Sequence, residues 1–282
     1  MLCKEHAYAS TSKARDQLPL FSCLRAKLNR MSRGARDSSA VAGNISSSMR
    51  DNYAGGVSEY YTKVASSYRN PHLPGVRACV TAFLSLWWER EQAQEQQLEG
   101  CRVLDMACGS GEVTICVREW ETAAKASSNS TPAPTTTQPL IPARRRRRIP
   151  TIPTSFAFEV TATDPYTAEA FRARTASDCL ELSFEDIANG ELPGDDTFDL
   201  VFVSFALHLV PDASGLFALL WALSSRARWL VVIGPHKKPE VKDGWGWTRW
   251  DLATWQAALD SRVQDTVLER VHLRVYRSLN LP

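Results

Sequence analysis

What this chain lacks narrows it first. Its seven cysteines are odd in number and contain no Cys-x-x-Cys pair. That pattern gives no disulfide framework and points to reduced thiols in an intracellular, cytoplasmic setting. No uninterrupted apolar run approaches the ~20 residues of a membrane-spanning helix. The best stretch, 200–210, is interrupted by His208 and stopped by Pro211-Asp212. Spacings such as His-Glu-x-x-His are absent, so no metal is expected. Acidic residues are scarce in two segments. Residues 1–50 hold nine Lys/Arg against three Asp/Glu, and residues 121–155 hold six against one. With a formal total of +2, the remainder carries −9. An acidic body argues against a broad phosphate-binding surface, so no nucleic-acid partner and no membrane partner is expected.

The two basic segments look unlike the rest. Residues 1–52 are rich in Ser, Ala and Arg without sustained periodicity, which reads as a disordered basic tail. An Arg- and Ser-rich start also fits a mitochondrial transit peptide, against which Glu5 and Asp16 count. Residues 122–155 run through Pro132, Pro134, Pro139 and Pro142 to five arginines, Arg144 to Arg148. This reads as a solvated low-complexity insertion; a nuclear-import signal or an anion-binding patch is the alternative. Between the tail and residue 100, apolar and aromatic side chains recur at helical spacing from Tyr60 to Arg69 and from Val76 to about Gln97, which predicts a helical lid over 53–100.

What is present centres on Asp105-Met-Ala-Cys-Gly-Ser-Gly-Glu-Val113, directly behind the apolar run 101–104. A strand ends in a carboxylate, enters a tight glycine turn and continues as a helix from Glu112. Two glycines let a backbone approach a ligand closely. A phosphate-binding turn carries a third glycine three residues later, and here that place holds Thr114. An acid at Asp105 would also repel a phosphate. Both departures point to a nucleoside with a cationic, amine-bearing tail and no phosphate, which describes S-adenosylmethionine. A second acid, Asp164, ends the alternating run 156–163. In nucleotide-binding βαβ units such an acid accepts from the ribose hydroxyls. It usually lies ~20 residues past the glycines. Here it lies 53 past Gly111, because of the insertion. Capping of the following helix, with Pro165 in its first turn, is the other reading of Asp164.

Five segments in order resemble the class I (Rossmann-like) S-adenosylmethionine-dependent methyltransferases, of the type 11/25-like kind. Val103 to Gly111 resembles their motif I, Thr163-Asp-Pro165 motif II, Ser183 to Ile187 the loop after strand 3, Phe198 to Asp212 motif IV, and Arg228 to Gly234 strand 5. The resemblance covers 101–234, about half the chain. It implies a doubly wound, mostly parallel, seven-stranded α/β sheet with helices on both faces and a reversed strand near the C-terminus, in a domain spanning 101–282. The cofactor it implies is S-adenosyl-L-methionine. By the same resemblance Ala107, Gly109 and Gly111 lie against the methionine and ribose, and Asp105 faces the amino group. Asp164 and Pro165 meet the ribose. Asp186 accepts from the adenine amine, with Phe184 or Ile187 against the ring and Glu185 beside them. Ser204 marks the end of the central strand. Arg69, in the lid beside Tyr61 and Tyr68, meets the methionine carboxylate; a charge favoured by the helix dipole is its other reading.

The remaining elements can be placed coarsely: helix at 111–120, helix at 167–174, a weak strand at 179–182, strand at 198–207, helix at 212–227, strand at 228–233, helix at 250–261, and one or two strands at 266–279. His208 and His236 are the candidate bases, His208 at the tip of the central strand and His236 in the loop after the next one. A structural wall role competes for His208. Cys108 reads as a small residue that fits the turn. Trp245, Trp247 and Trp250 form either an acceptor pocket or a lid packed on the core. The resemblance lacks the Asn/Asp-Pro-Pro-Tyr/Phe of base-modifying methyltransferases, since Ser204-Phe-Ala-Leu207 stands there. The expected activity is methyl transfer to a small-molecule acceptor by in-line displacement. Three alternatives remain: a protein or RNA acceptor, a catalytically silent binding protein, and an NAD-linked oxidoreductase.

Overall fold

The computed structural model describes residues 57–92, 100–126, 149–195, 197–258 and 263–281. The expected tail at 1–52 and the arginine run lie outside the described residues. The chain divides into two units, 1–39 and 40–282, and all described residues belong to the second.

Two N-terminal helices, α1 (Val57–Val64) and α2 (Leu73–Trp87), precede β1 (Gly100–Met106). There follow α3 (Glu112–Ala126), β2 (Ala157–Thr163), α4 (Ala168–Thr175), α5 (Phe184–Ala188), β3 (Phe198–Ser204), α6 (Ala213–Ser224) and β4 (Ala227–Gly234). Four strands close the chain: β5 (Trp247–Asp251), β6 (Gln256–Ala257), β7 (Thr266–Leu268) and β8 (Val271–Ser278). They form one eight-stranded sheet in the order β2-β1-β3-β4-β8-β5-β6, with β7 also on β8. The first four are mutually parallel, and β8 runs antiparallel to β4. The strand order reverses at β1, whose successor β2 lies on one side and β3 on the other. A doubly wound sheet opens its ligand crevice at such a point.

Burial explains why β3 is apolar at successive positions. Phe202 and Leu200 face the layer of α2 and α3, while Val201 and Val203 face α5 and α6. A central parallel strand covered on both faces has no solvent side to make polar. Pro74 sits in the first turn of α2, where a missing N–H costs nothing. Trp120 of α3 donates its indole N–H to Ser85 of α2 at 3.0 Å, which locks this helical layer. No helix among the described residues is long and apolar enough to cross a membrane.

Several expectations are corrected. The seven-stranded sheet has eight strands. The weak strand at 179–182 is a single bridge, Leu180 beside Thr163, because the backbone of Leu180 pairs with Ala162 and Asp164 and then turns away. The helix expected over 250–261 is instead the β5–β6 hairpin through Ala257. Its aromatic residues serve a strand, with the Trp250 ring packed 5.2 Å from Trp229. Residues 259–262 lie outside the description. The first core helix runs to Ala126, past the start set for the insertion, and residues 149–155 are ordered against the core through buried Ile152. The segment after the bridge is a short helix, α5.

Gly75 marks the tightest contact between α2 and the reversed strand. A Cβ there would stand 2.3 Å from Val271 Cγ2. Gly75→Ala is therefore expected to destabilise the fold by about 1–3 kcal/mol through overpacking, measured by urea denaturation.

Candidate functional site

The turn after β1 is shaped by backbone conformation. Ala107, Gly109 and Gly111 all have positive φ, at 53°, 59° and 85°. The Cys108 N–H donates to the Thr163 carbonyl at 3.0 Å, which ties the turn to the end of β2. A Cβ on Gly109 would stand 2.9 Å from Tyr68 Cε1, so the glycine lets the Tyr68 ring pack directly on the turn. A Cβ on Gly111 would meet Thr175 Cγ2 at 2.5 Å. The second glycine thus lets α4 pack closely. Gly111 does not line the cavity and meets helix where the resemblance implies ligand.

Three buried carboxylates surround this turn. Asp164 accepts from the N–H groups of Tyr166 and Thr167 on Oδ1, both at 2.9 Å, and from Gly109 N–H on Oδ2 at 3.1 Å. These bonds close a turn ahead of α4, whose N-cap is Thr167 without a side-chain cap, so Asp164 braces the entry to the helix rather than capping it. A carboxylate has about four acceptor sites, so about one is left for a ligand hydroxyl. Asp105 is 1 % exposed. Its Oδ2 accepts from the N–H and hydroxyl of Thr114, at 3.1 and 2.6 Å, while its Oδ1 is buried with no partner among the described residues. The residue standing for a third glycine is therefore the one that holds the first acid. Desolvation pushes the Asp105 carboxyl from 3.8 up to about 7, against the Thr114 hydrogen bonds and with repulsion from Glu112 and Asp164. Glu112, the third carboxylate, is paired with Arg174 at 2.8 Å.

The cleft is a cavity of about 350 Å³ at the carboxyl ends of β1, β2 and β3. Met106, Ala107 and Gly109 come from the turn, and Thr163 to Tyr166 from the end of β2. Ser204, Phe205 and Ala206 come from the end of β3, and Tyr61 and Tyr68 from the lid. Leu182, Ser183, Phe184, Leu209 and Pro211 complete the wall. Among the described residues, Asp164 is the one charged residue that lines it. The hydroxyls of Thr163 and Ser204 are buried without partners among the described residues. Tyr61 and Tyr166 stack across it, with ring centroids 6.0 Å apart and planes at 11°. Phe205 holds φ at 57°, with its N–H on the Ile233 carbonyl at 2.8 Å, and its ring stacks on His72 at 5.0 Å. A left-handed conformation at an aromatic residue costs roughly 1–3 kcal/mol and aims the side chain where ordinary backbone would not.

The candidates therefore divide. Ala107, Gly109, Asp164, Pro165 and Ser204 share the cavity wall. Asp105 lies one layer beneath it. Asp186 is used elsewhere: its carboxylate accepts from Ser183 N–H at 2.7 Å while its own N–H meets the Ser183 hydroxyl. This capping box starts α5 and holds the Asp186 carboxyl below its usual value. Ile187 is core, 2 % exposed, and Glu185 is exposed; neither lines the cavity. Arg69 donates from its guanidinium to the carbonyl of the wall residue Tyr68 and does not itself line the cavity. His208 and His236 are exposed, near each other, and outside the wall. Partial desolvation, with His236 adding to it, lowers the His208 pKa. The tryptophans do not reach the cavity. Trp247 is core and donates to the Leu220 carbonyl at 2.8 Å, and Trp250 packs on Trp229. Among the described residues no cluster of three or more His, Cys, Asp or Glu is placed to hold a metal.

Sequence reasoning missed Tyr166, Phe205 and Glu112. The first two follow residues already singled out, and strand ends supply cleft walls in doubly wound folds. Glu112 carried no such signal, because an acid in the first turn of a helix reads as a dipole partner.

No family model matches the chain. It is 44% identical over 243 residues to the uncharacterized protein C17A5.05c of Schizosaccharomyces pombe (strain 972), covering 84% of this chain and 95% of that one. Among solved structures it is similar to the magnesium protoporphyrin IX methyltransferase of Synechocystis PCC 6803 with bound SAM, at 14% identity and a TM-score of 0.38, over 74% of this chain and 84% of that one. It is also similar to an O-methyltransferase family protein from Burkholderia thailandensis, at 13% identity and a TM-score of 0.41, over 81% and 61% of the two chains.

The Asp105 shift has a definite sign. Folding binds a proton between the unfolded pKa near 3.8 and the folded value of about 7. The cost to stability is thus absent below 3.8, grows as pH rises, and is complete above 7, at about 4 kcal/mol by linkage. Thermal melts from pH 4 to 9 are expected to show Asp105→Asn gaining on the wild type as pH rises. A gain that is constant with pH would contradict the shift.

Proposed function

We propose that this chain, which belongs to the same protein family as C17A5.05c of Schizosaccharomyces pombe, binds S-adenosylmethionine and methylates a small-molecule acceptor. The chain has the α/β fold that the five motifs imply, with a strand-order switch at β1 and a reversed β8. The observation that carries the reading is one shared wall: Asp164 accepts from the Gly109 N–H, and Ser204 closes the opposite side of the same cavity. The residues fit an adenosine joined to a cation. Gly109 lets the Tyr68 ring close over the turn, Asp164 keeps an acceptor direction for a ribose hydroxyl, and the Oδ1 of buried Asp105, without a partner among the described residues, is an acceptor behind the turn.

When bound, the cofactor would supply a methyl group already activated on a sulfonium. The protein's own task is orientation. Asp164 fixes the ribose end, and the Ser204 hydroxyl stands ready to hydrogen-bond a group at the end of β3. Tyr61, Tyr68 and Tyr166 exclude water from the reacting face. Beyond Asp164 the described wall residues are uncharged and mostly apolar, which suits a small, neutral acceptor better than a phosphate-bearing or strongly charged one. The same reading keeps the protein intracellular, its five described cysteines buried and unpaired.

A second reading has its own support. Neither His208 nor His236 lines the cavity, which favours a protein that binds S-adenosylmethionine without a protein base, or without turnover. Cell extract incubated with the protein and methyl-labelled S-adenosylmethionine separates the two. Label is expected in the low-molecular-mass fraction. Label in protein or RNA would overturn the acceptor class, and no label in any fraction would favour the silent binder. Asp164→Asn is expected to raise the S-adenosylmethionine Kd at least tenfold, by titration calorimetry on the folded variant.

A further inference from the structure

We infer that Glu112 is a positioning residue that clamps the N-terminal lid onto the cleft. The inference rests on the cavity being the cofactor site, but the clamp itself is read from contacts alone. The Glu112 side chain is 5 % exposed and gathers four hydrogen bonds from three separate elements. Asn70, at the end of the lid segment, donates its backbone N–H to Oε1 at 3.1 Å. Ser110, inside the glycine turn, donates its hydroxyl to Oε1 and its N–H to Oε2, at 2.5 and 3.1 Å. Arg174, in the last turn of α4, donates Nη1 to Oε1 at 2.8 Å and to the Ser110 hydroxyl oxygen at 2.9 Å. Lid, turn and helix thus converge on one buried carboxylate.

The position of Asn70 makes the clamp matter for the cleft. Two residues earlier, the Tyr68 ring lies over Gly109, close enough that a Cβ there would be 2.9 Å from it. Tyr68 in turn contacts Tyr61, with ring centroids 5.4 Å apart, and Tyr61 stacks on Tyr166. On the far side of Asn70, its side-chain carbonyl accepts the His72 N–H at 2.9 Å, at the start of α2. Holding the Asn70 backbone therefore holds the aromatic roof at one end and the following helix at the other. No element other than the lid needs that particular N–H.

The chemistry of the four partners makes the requirement a carboxylate rather than any polar side chain. All four are donors. A glutamine amide would turn its NH₂ either toward the Ser110 N–H, which cannot accept, or toward the Asn70 N–H and Arg174, where the Ser110 hydroxyl alone of these partners could accept, and would leave the arginine without its counter-charge.

Hydrogen exchange and cofactor binding on the full chain test this. In Glu112→Gln, amides of 60–70 are expected to exchange at least tenfold faster, with those of β1 and β3 unchanged, and S-adenosylmethionine to dissociate at least tenfold faster. Arg174→Met removes the cation but leaves the Asn70 bond, and is expected to alter lid exchange less than threefold. This second variant keeps the test available if Glu112→Gln does not fold. Lid exchange unchanged in Glu112→Gln, or lid exchange in Arg174→Met rising together with that of β1, would overturn the clamp. A loosened lid with unchanged cofactor dissociation would overturn its positioning role. Failure of the wild type to bind S-adenosylmethionine at all would instead count against the cofactor reading, since the exchange measurement needs no ligand.

Discussion

The cleft depends on the Asp164 carboxylate accepting three backbone N–H groups from the two segments that follow the paired strands β1 and β2. Gly109 lies in the turn after β1, and Tyr166 and Thr167 open α4 after β2. Hydrogen bonds to a charged acceptor contribute about 1.5–3 kcal/mol each, offset by desolvating the carboxylate. The Cys108 N–H on the Thr163 carbonyl and the Thr167 hydroxyl on the Gly109 carbonyl brace the same junction. With the turn fixed against β2, the strand-order switch becomes a cavity of set width.

Packing three carboxylates around one turn is electrostatically costly, and each is handled differently. Asp164 is solvated by backbone donors. Glu112 takes an arginine. Asp105 has only Thr114, and one of its oxygens has no partner among the described residues; its carboxyl accordingly rises to about 7. A buried carboxyl held near 7 is partly protonated at neutral pH; a cation bound beside it would favour its charged form, and a phosphate would disfavour it. The missing third glycine and the acid before the turn therefore have one shared cause. Thr114 occupies the glycine's place because its hydroxyl and N–H are what Asp105 needs.

Much of this was legible in the sequence, for physical reasons. The apolar run of β3 announces a strand buried on both faces, and the alternation before Asp164 announces β2. The two N-terminal helices follow from helical spacing at 60–68 and 76–88, although α2 packs in the helical layer on the sheet rather than over the cleft. What misled was local ambiguity. Trp250 to Ser261 looked helical, yet the aromatics pair across a hairpin, since tertiary contacts override weak periodicity in short segments. Asp186 sits in the right motif but three residues after a serine, and the capping box takes its carboxylate. The histidines fall at strand tips, where sequence places them near the cleft but does not fix which way a loop turns. Gly111 carries a ligand-binding signature and serves helix packing. Glu112 escaped notice because its partners, Asn70 and Arg174, are 42 residues before it and 62 after it.

Titration calorimetry of the intact protein against S-adenosylmethionine and against NADH bears most directly on the central claim, that this turn and its acids cradle adenosine carrying a cation. S-adenosylmethionine is expected to bind at one site per chain and NADH to give no heat of binding. NADH binding with no response to S-adenosylmethionine would contradict the claim.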